Sequence, residues 1–373
     1  MSKTIEQKFR KLTDVEHCLI RPGRYVGSIK PHKAETWAVN DTWTELEGKM
    51  QRQTLTWNPG FIKLFDEVIS NSVDESKRNP NLDTIKVKID QATGEISVWD
   101  NGGIPVVEHK EYNELVPTLI FGYLRSGSNF DDTEESTGTG QNGEGATLTN
   151  IFSTSFKVET CDGKKNFKQV WTNNMRVVSN AHVNPADKRG GYTKITFTPD
   201  YAHLDTKLDD GNYAKLIKRV YDVAGCNPKL KIFIDGARVA FRSFEDYVKM
   251  YTPIYEYEDS GDWQVAVAQS NDGFQHVSFV NATETVLGGN HVNYVTGQIA
   301  SELRVLINKK YKVDLKPTEI QNHLQIFINA KIVRPRYDSQ TKENLITEIK
   351  EFKTDWAPSE RFIKAIFKST IIQ

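Results

Sequence analysis

Cysteine is scarce in this chain: Cys18, Cys161 and Cys226 are the only three in 373 residues, odd in number and far apart. That spacing excludes a disulfide framework and a structural zinc site, and it fits a reducing compartment. Charge in excess is missing too. Forty-eight Lys and Arg against 49 Asp and Glu leave a net charge of −1, so any contact with nucleic acid must come from a local patch. No hydrophobic run approaches membrane-spanning length, and residues 1–8 lack the apolar segment of a signal peptide. The motifs HExxH and GxxxxGK[ST] are both missing, which removes the common zinc-protease and P-loop readings. No repeat of fixed period occurs. Length and composition predict a soluble, cytoplasmic protein of about two domains.

Glycine, by contrast, is concentrated. Gly138, Gly140, Gly143 and Gly145 fall within eight residues, just before an apolar segment. Glycine lets a backbone approach an anion closely and adopt positive φ, so this stretch reads as a phosphate-gripping lid. The polar run from Arg125 to Gly145 is too long for an ordinary connection and points to a lid or a disordered segment, of which the lid is favoured. Gly138 to Gly143 also satisfies GxGxxG, but no strand precedes it, so the dinucleotide-binding context is missing.

Periodicity organises the rest. Residues 1–20 predict an arm and a short helix, broken at Arg21-Pro22-Gly23. Phe61, Leu64, Phe65, Val68, Ile69 and Val73 recur at three and four, predicting an amphipathic helix started by Asn58-Pro59. Alternation at 85–89 and 96–98 predicts a hairpin ending at Asp100. A helix over 115–124, strands over 155–158, 167–171 and 192–197, a helix over 213–223 and a strand over 230–234 follow. After about residue 242 a second αβ unit is expected, with strands at 263–268, 276–280 and 324–328 and a long helix over 292–307. Phe362, Ile363, Ile366 and Phe367 form an apolar-periodic run with no stop signal after it, so the chain reads as cut from something longer.

Glu67 and Asn71 lie four apart on one helix face. A solvated polar face, with Lys63 and Asp74, explains them; so does a carboxylate that deprotonates a water beside an amide that helps hold magnesium. Asp100, before Gly102 and Gly103, reads either as a plain turn or as an acceptor for a flat heterocycle lying on bare backbone. Lys342 reads as surface, or as a cation delivered from the second domain onto a phosphate. His291 opens a helix and reads as structural.

Six separated strings, in order, resemble the ATPase region of type IIA DNA topoisomerases within the GHKL (Bergerat-fold) superfamily: 16–28, 65–71, 128–132, 140–146, 316–323 and 338–343. They are closer to the eukaryotic enzymes than to bacterial gyrase, and the small size of the region is similar to that of T-even bacteriophage enzymes. The resemblance implies an α/β (α+β) fold: a GHKL α/β sandwich over residues 1–242, helices on one face of a mixed sheet, then a ribosomal-S5-domain-2-like transducer over 243–373. It implies ATP and Mg2+ as cofactors, a homodimer closed by ATP around double-stranded DNA, an N-terminal arm exchanged between the copies, and further segments that carry the cleavage chemistry.

The roles implied are residue by residue. Glu67 is the general base and Asn71 the magnesium ligand; Asp100, with Gly103 and Ile104, meets the adenine. Ser128 and Asn129 meet ribose and phosphates, and Gly140, Gln141, Asn142, Gly143, Glu144, Gly145, Ala146 and Thr147 the triphosphate. Gln340, Thr341 and Lys342 reach the γ-phosphate. Arg304, Lys309, Lys310, Lys312 and Lys331 are candidates to line DNA. The chain departs from the family at Gly102-Gly103, which are adjacent, at Gly127, at Glu144, and at Phe9, where a tyrosine is usual. The alternatives are a mismatch-repair or chaperone-type GHKL ATPase, or a nucleotide-gated dimerisation module without DNA passage.

Overall fold

The computed structural model describes residues 5, 9, 11–40, 48–127, 138, 140, 143–186 and 190–371. They group as two units. The first comprises Met1–Lys33, Thr56–Asp131 and Gly140–Tyr213, the second Ala34–Leu55, Asp132–Thr139 and Ala214–Gln373.

The first unit opens with helix α1 (Asp14–Ile20), capped by Thr13 and Glu16 in a reciprocal box. Strands β1 (His32–Val39) and β2 (Met50–Trp57) pair as a two-stranded sheet. Helix α2 (Pro59–Arg78) follows, and the Asn58 side chain accepts the Phe61 N–H at 2.9 Å to cap it. Asn58 is fixed in turn. Its own N–H donates to Asn212 Oδ1 at 2.9 Å, and its amide donates to the carbonyls of Ile29 and Leu204.

Beyond α2 come β3 (Thr84–Asp90), β4 (Glu95–Asp100), α3 (Val116–Gly122), α4 (Gly145–Ile151), β5 (Ser153–Asp162), β6 (Lys165–Thr172), β7 (His182–Pro185) and β8 (Gly191–Pro199). The strands run in the order β7-β6-β5-β8-β4-β3. The five pairings among these strands are antiparallel. Phe61, Leu64, Phe65, Val68 and Ile69 form the buried face of α2, with Ile96, Val98, Val158, Ile195 and Phe197 buried from the sheet.

Helix α5 (Asp210–Cys226) runs into the second unit, which continues with β9 (Lys231–Ile234), β10 (Ala237–Val239), α6 (Phe244–Lys249), β11 (Glu256–Asp259), β12 (Trp263–Gln269), β13 (Gln275–Val280), β14 (Thr283–Glu284), α7 (Asn290–Tyr311), α8 (Pro317–Gln321), β15 (Leu324–Ala330) and α9 (Glu360–Lys368). Its five-stranded sheet has the order β11-β12-β15-β13-β14, with β13 and β15 parallel and the other pairs antiparallel. Helix α7 is the connection that parallel strands require. Val295, Ile299 and Leu303 pack it onto Val265, Val267, Ile326 and Ile328, and Phe362 and Ile366 of α9 join that core. Most of β1 and β2 belongs to this unit, and the Gly48 and Met50 N–H groups donate to the carbonyls of Lys249 and Met250. All three cysteines are free. Among the described residues, no helix is long and apolar enough to cross a membrane.

Candidate active site

Helix α2 carries Lys63, Glu67, Asn71 and Asp74 along one face. The solvated-surface reading fails, because Lys63, Glu67 and Asp74 are 5–6% exposed. Lys63 Nζ stands 2.7 Å from Glu67 Oε1 and 3.1 Å from Asp66 Oδ2. Burial works against the Lys63 charge, but the two carboxylates outweigh it and raise its pKa, so the ammonium persists. A carboxylate gripped by a fixed cation has one orientation to offer a water. One turn on, half-buried Asn71 makes no side-chain hydrogen bond to any described residue.

Gly145 lies over that carboxylate. A Cβ there would come 1.9 Å from Glu67 Oε2, so only glycine lets α4 pass so close. The glycine-rich segment is tied to the same helix face, since Asp74 Oδ2 accepts the Gly140 N–H at 3.0 Å while Oδ1 takes the Lys77 ammonium. Gly143 holds φ +61°, and its carbonyl accepts the Ser126 N–H. Ala146 and Thr147 are buried in α4, where the Thr147 hydroxyl donates to the carbonyls of Ile120 and Tyr123. Burial raises the pKa of Glu144, while Arg125, 3.8 Å away, and Arg24 oppose the shift. Ser128, Asn129, Gln141 and Asn142 lie outside the described residues.

At the end of β4, Asp100 Oδ2 accepts the Ser72 hydroxyl at 2.6 Å and Oδ1 accepts the Gly102 N–H at 3.0 Å. Burial pushes its carboxyl up to about 6, with those two hydrogen bonds holding it back. Thr193 Oγ1 donates to the Gly102 carbonyl at 3.0 Å, and Thr160 Oγ1 accepts the Ile104 N–H at 3.1 Å. A Cβ on Gly103 would meet the Cys161 carbonyl oxygen at 2.0 Å, and one on Gly102 would meet Leu82 at 2.6 Å. Backbone excludes a side chain at Gly103, and one at Gly102 would require the Leu82 side chain to shift. Ser72, Thr160 and Thr193 were not anticipated from sequence; only Ser72, beside Asn71, carried any signal.

These groups stand together in the first unit. In the second, residues 338–344 form a loop closed by the Asp338 N–H donating to the Asn344 carbonyl and by the Asn344 amide donating to Asp338 Oδ2 at 2.9 Å. Gln340, Thr341 and Lys342 lie within it, half-buried, and Lys342 has φ +62°. His291 is fully buried with Nε2 3.0 Å from Thr285 Oγ1, and burial lowers its pKa to about 3, a neutral ring suited to a structural role. Of the five candidate DNA-lining cations, Arg304 makes two hydrogen bonds to Asp314 and Lys331 pairs with Asp262. Lys310 lies over Tyr311 and Phe367.

Comparison with known proteins bears on this arrangement. The family model described as histidine kinase-, DNA gyrase B- and HSP90-like ATPase matches residues 58–203, and the DNA gyrase B model matches 235–371. The crystal structure of the ATPase region of Saccharomyces cerevisiae topoisomerase II superposes with a TM-score of 0.93 at 34% identity, covering 99% of this chain and 98% of that one. The chain belongs to the type II DNA topoisomerase ATPase-region family. DNA topoisomerase 2 of Penicillium chrysogenum is 41% identical over 99% of the chain, and that of Drosophila melanogaster is 39% identical over 99%. The chain spans only 24% and 26% of those two relatives. The topoisomerase ATPase fold thus accounts for both units.

Proposed function

We propose that the chain is the ATP-binding and ATP-hydrolysing gate of an ATP-dependent type II DNA topoisomerase, with residues 1–242 holding the nucleotide and 243–373 acting as transducer. The observation that carries this is the Lys63–Glu67 pair beneath Gly145, one turn from an uncommitted Asn71 amide. These residues fit ATP and Mg2+: Glu67 offers a buried carboxylate, Asp100 a buried acceptor beside Gly102, and Asn71 an amide oxygen of the hard type magnesium takes. When bound, the nucleotide and metal supply the reactive phosphoanhydride and neutralise its charge. Glu67 aligns a water and takes its proton, Lys63 fixes Glu67, and Asp100 accepts a hydrogen bond from the adenine amino group. Gln340, Thr341 and Lys342 stabilise charge on the terminal phosphate, an interaction that ends when hydrolysis removes that phosphate.

ATP is proposed to close two copies on a DNA duplex. Ile5 and Phe9 in the arm are 72% and 79% exposed, which suits apolar side chains that a second copy covers. The rest of the enzyme would bring the cleavage tyrosine and acidic metal-binding domain. A T-even phage-type origin and a place in the bacterial host cytoplasm are part of the same proposal, set against matched relatives that are eukaryotic. Sedimentation with a non-hydrolysable ATP analogue and Mg2+ tests the gate: dimers with nucleotide and monomers without it are expected, and one species in both conditions would refute it.

Asp100 adds a pH dependence. With a folded pKa of about 6, above the ordinary aspartate value of 3.8, the folded protein keeps a proton that the unfolded chain has released. This group's contribution to stability therefore falls as pH rises through that window. Nucleotide affinity should move the other way, rising as the carboxylate forms near pH 6. Titrating analogue binding from roughly pH 5 to 8 checks this; Asp100→Asn should flatten the profile, and an unchanged slope in that variant would assign it to another group.

A further inference from the structure

The second unit holds a buried charge cluster that the proposed chemistry does not use. Lys218 of α5, 2% exposed, places Nζ 2.8 Å from Asp222 Oδ2 and 2.7 Å from Glu284 Oε1. Tyr247 donates to Asp222 Oδ1 at 2.7 Å. The next residue, Arg219, donates from Nη1 to the Ala282 carbonyl at 2.8 Å. Desolvating an ion triad is costly and a hydrophobic cluster would do as well for stability alone, so the placement of these ions asks for another reason.

That reason lies in what they grip. Asn281 and Ala282 form the turn between β13 and β14 with φ +54° and +70°, a left-handed conformation unfavourable for alanine. The Asn281 side chain pins one side of the turn through the Ile332 N–H and carbonyl, and Arg219 pins the other. The chain then passes directly to the 338–344 loop: the Leu287 N–H donates to the Glu343 carbonyl at 2.9 Å, and Gly288–Gly289 pairs in parallel with Asn344–Leu345. An arm of nine residues, 281–289, thus joins the buried ions to the base of the Lys342 loop.

We propose that Lys218 and Arg219 are positioning residues, which hold the 281–289 arm through Glu284 and Ala282 and thereby fix the loop that presents Lys342. This rests on the role proposed for Lys342. A small displacement at the loop base moves the ammonium off its target, and misplacement on the order of 1 Å is enough to cost roughly a hundredfold in rate.

Glu284→Gln keeps the size and a hydrogen-bond acceptor but removes the ion pair; Arg219→Met removes the grip on Ala282. In the full chain each should lower kcat for ATP by roughly tenfold or more while KM for ATP stays within about twofold. Amide exchange should quicken at Leu287 and Ile346 and stay unchanged in β15, and Glu284→Asp should recover part of the rate. Faster exchange throughout the unit, or unaltered kcat in both variants while Lys342→Met lowers it, would overturn the positioning role and leave the Lys342 role standing. Unaltered kcat in Lys342→Met would remove the Lys342 role, and the positioning role with it.

Discussion

Glu67→Ala is expected to abolish ATP turnover, by roughly 10²- to 10⁴-fold, the range in which a positioned general base contributes, while nucleotide still binds. The expectation follows from the side chain's surroundings. It is buried, fixed by the Lys63 ammonium at 2.7 Å, and overlain by a glycine whose missing Cβ leaves room for its carboxylate. Nothing in that setting recognises adenine, which is assigned to Asp100 at the end of β4, so the loss of the base and any loss of binding should separate. Removing Glu67 leaves Lys63 with Asp66 as its neutralising partner. Glu67→Gln, which keeps the volume, is therefore the companion variant, and its thermal unfolding should stay near that of the parent. Phosphate release at saturating ATP, set beside equilibrium binding of an analogue, reads both quantities. Full turnover in Glu67→Ala with normal binding would rule out the assigned role.

Lys342→Met should cost roughly 10²- to 10³-fold in kcat, comparable to losing a preorganised donor to developing charge. Its effect on the affinity of a diphosphate nucleotide should be small, because the terminal phosphate is what the lysine is assigned to meet. Lys342 sits at φ +62° in a loop whose Asp338–Asn344 closure fixes its base, so Met changes the charge without releasing the turn. Steady-state rates with ATP and displacement binding with ADP separate the two effects. An equal loss of ADP and ATP binding would place the lysine elsewhere on the nucleotide.

Several parts of this arrangement were legible in the sequence because they depend on local chemistry. The apolar spacing from Phe61 to Val73 and the Asn58-Pro59 start describe α2 closely, and that helix alone brings Glu67 and Asn71 onto one face. The alternation on either side of Gly94 marks the hairpin that ends at Asp100. What escaped depends on distant chain. Lys63 reads as a surface lysine until the fold buries it against Glu67. Thr160 and Thr193 are ordinary strand residues until β5 and β8 carry them beside Gly102 and Ile104. Strands β1 and β2 went unread because polar runs such as Gln51-Arg52-Gln53-Thr54 show little alternation in polarity. The buried Lys218–Asp222–Glu284 triad was equally hidden, since α5 and β14 meet only in three dimensions.

The functional account turns on whether Glu67 and Lys342 address one terminal phosphate. A structure of the chain with a non-hydrolysable ATP analogue and Mg2+ measures this directly. The Lys342 ammonium is expected within hydrogen-bond distance of a γ-phosphate oxygen, with the Glu67 carboxylate one water away from the γ-phosphorus. A bound nucleotide whose γ-phosphate touches neither side chain would contradict the account.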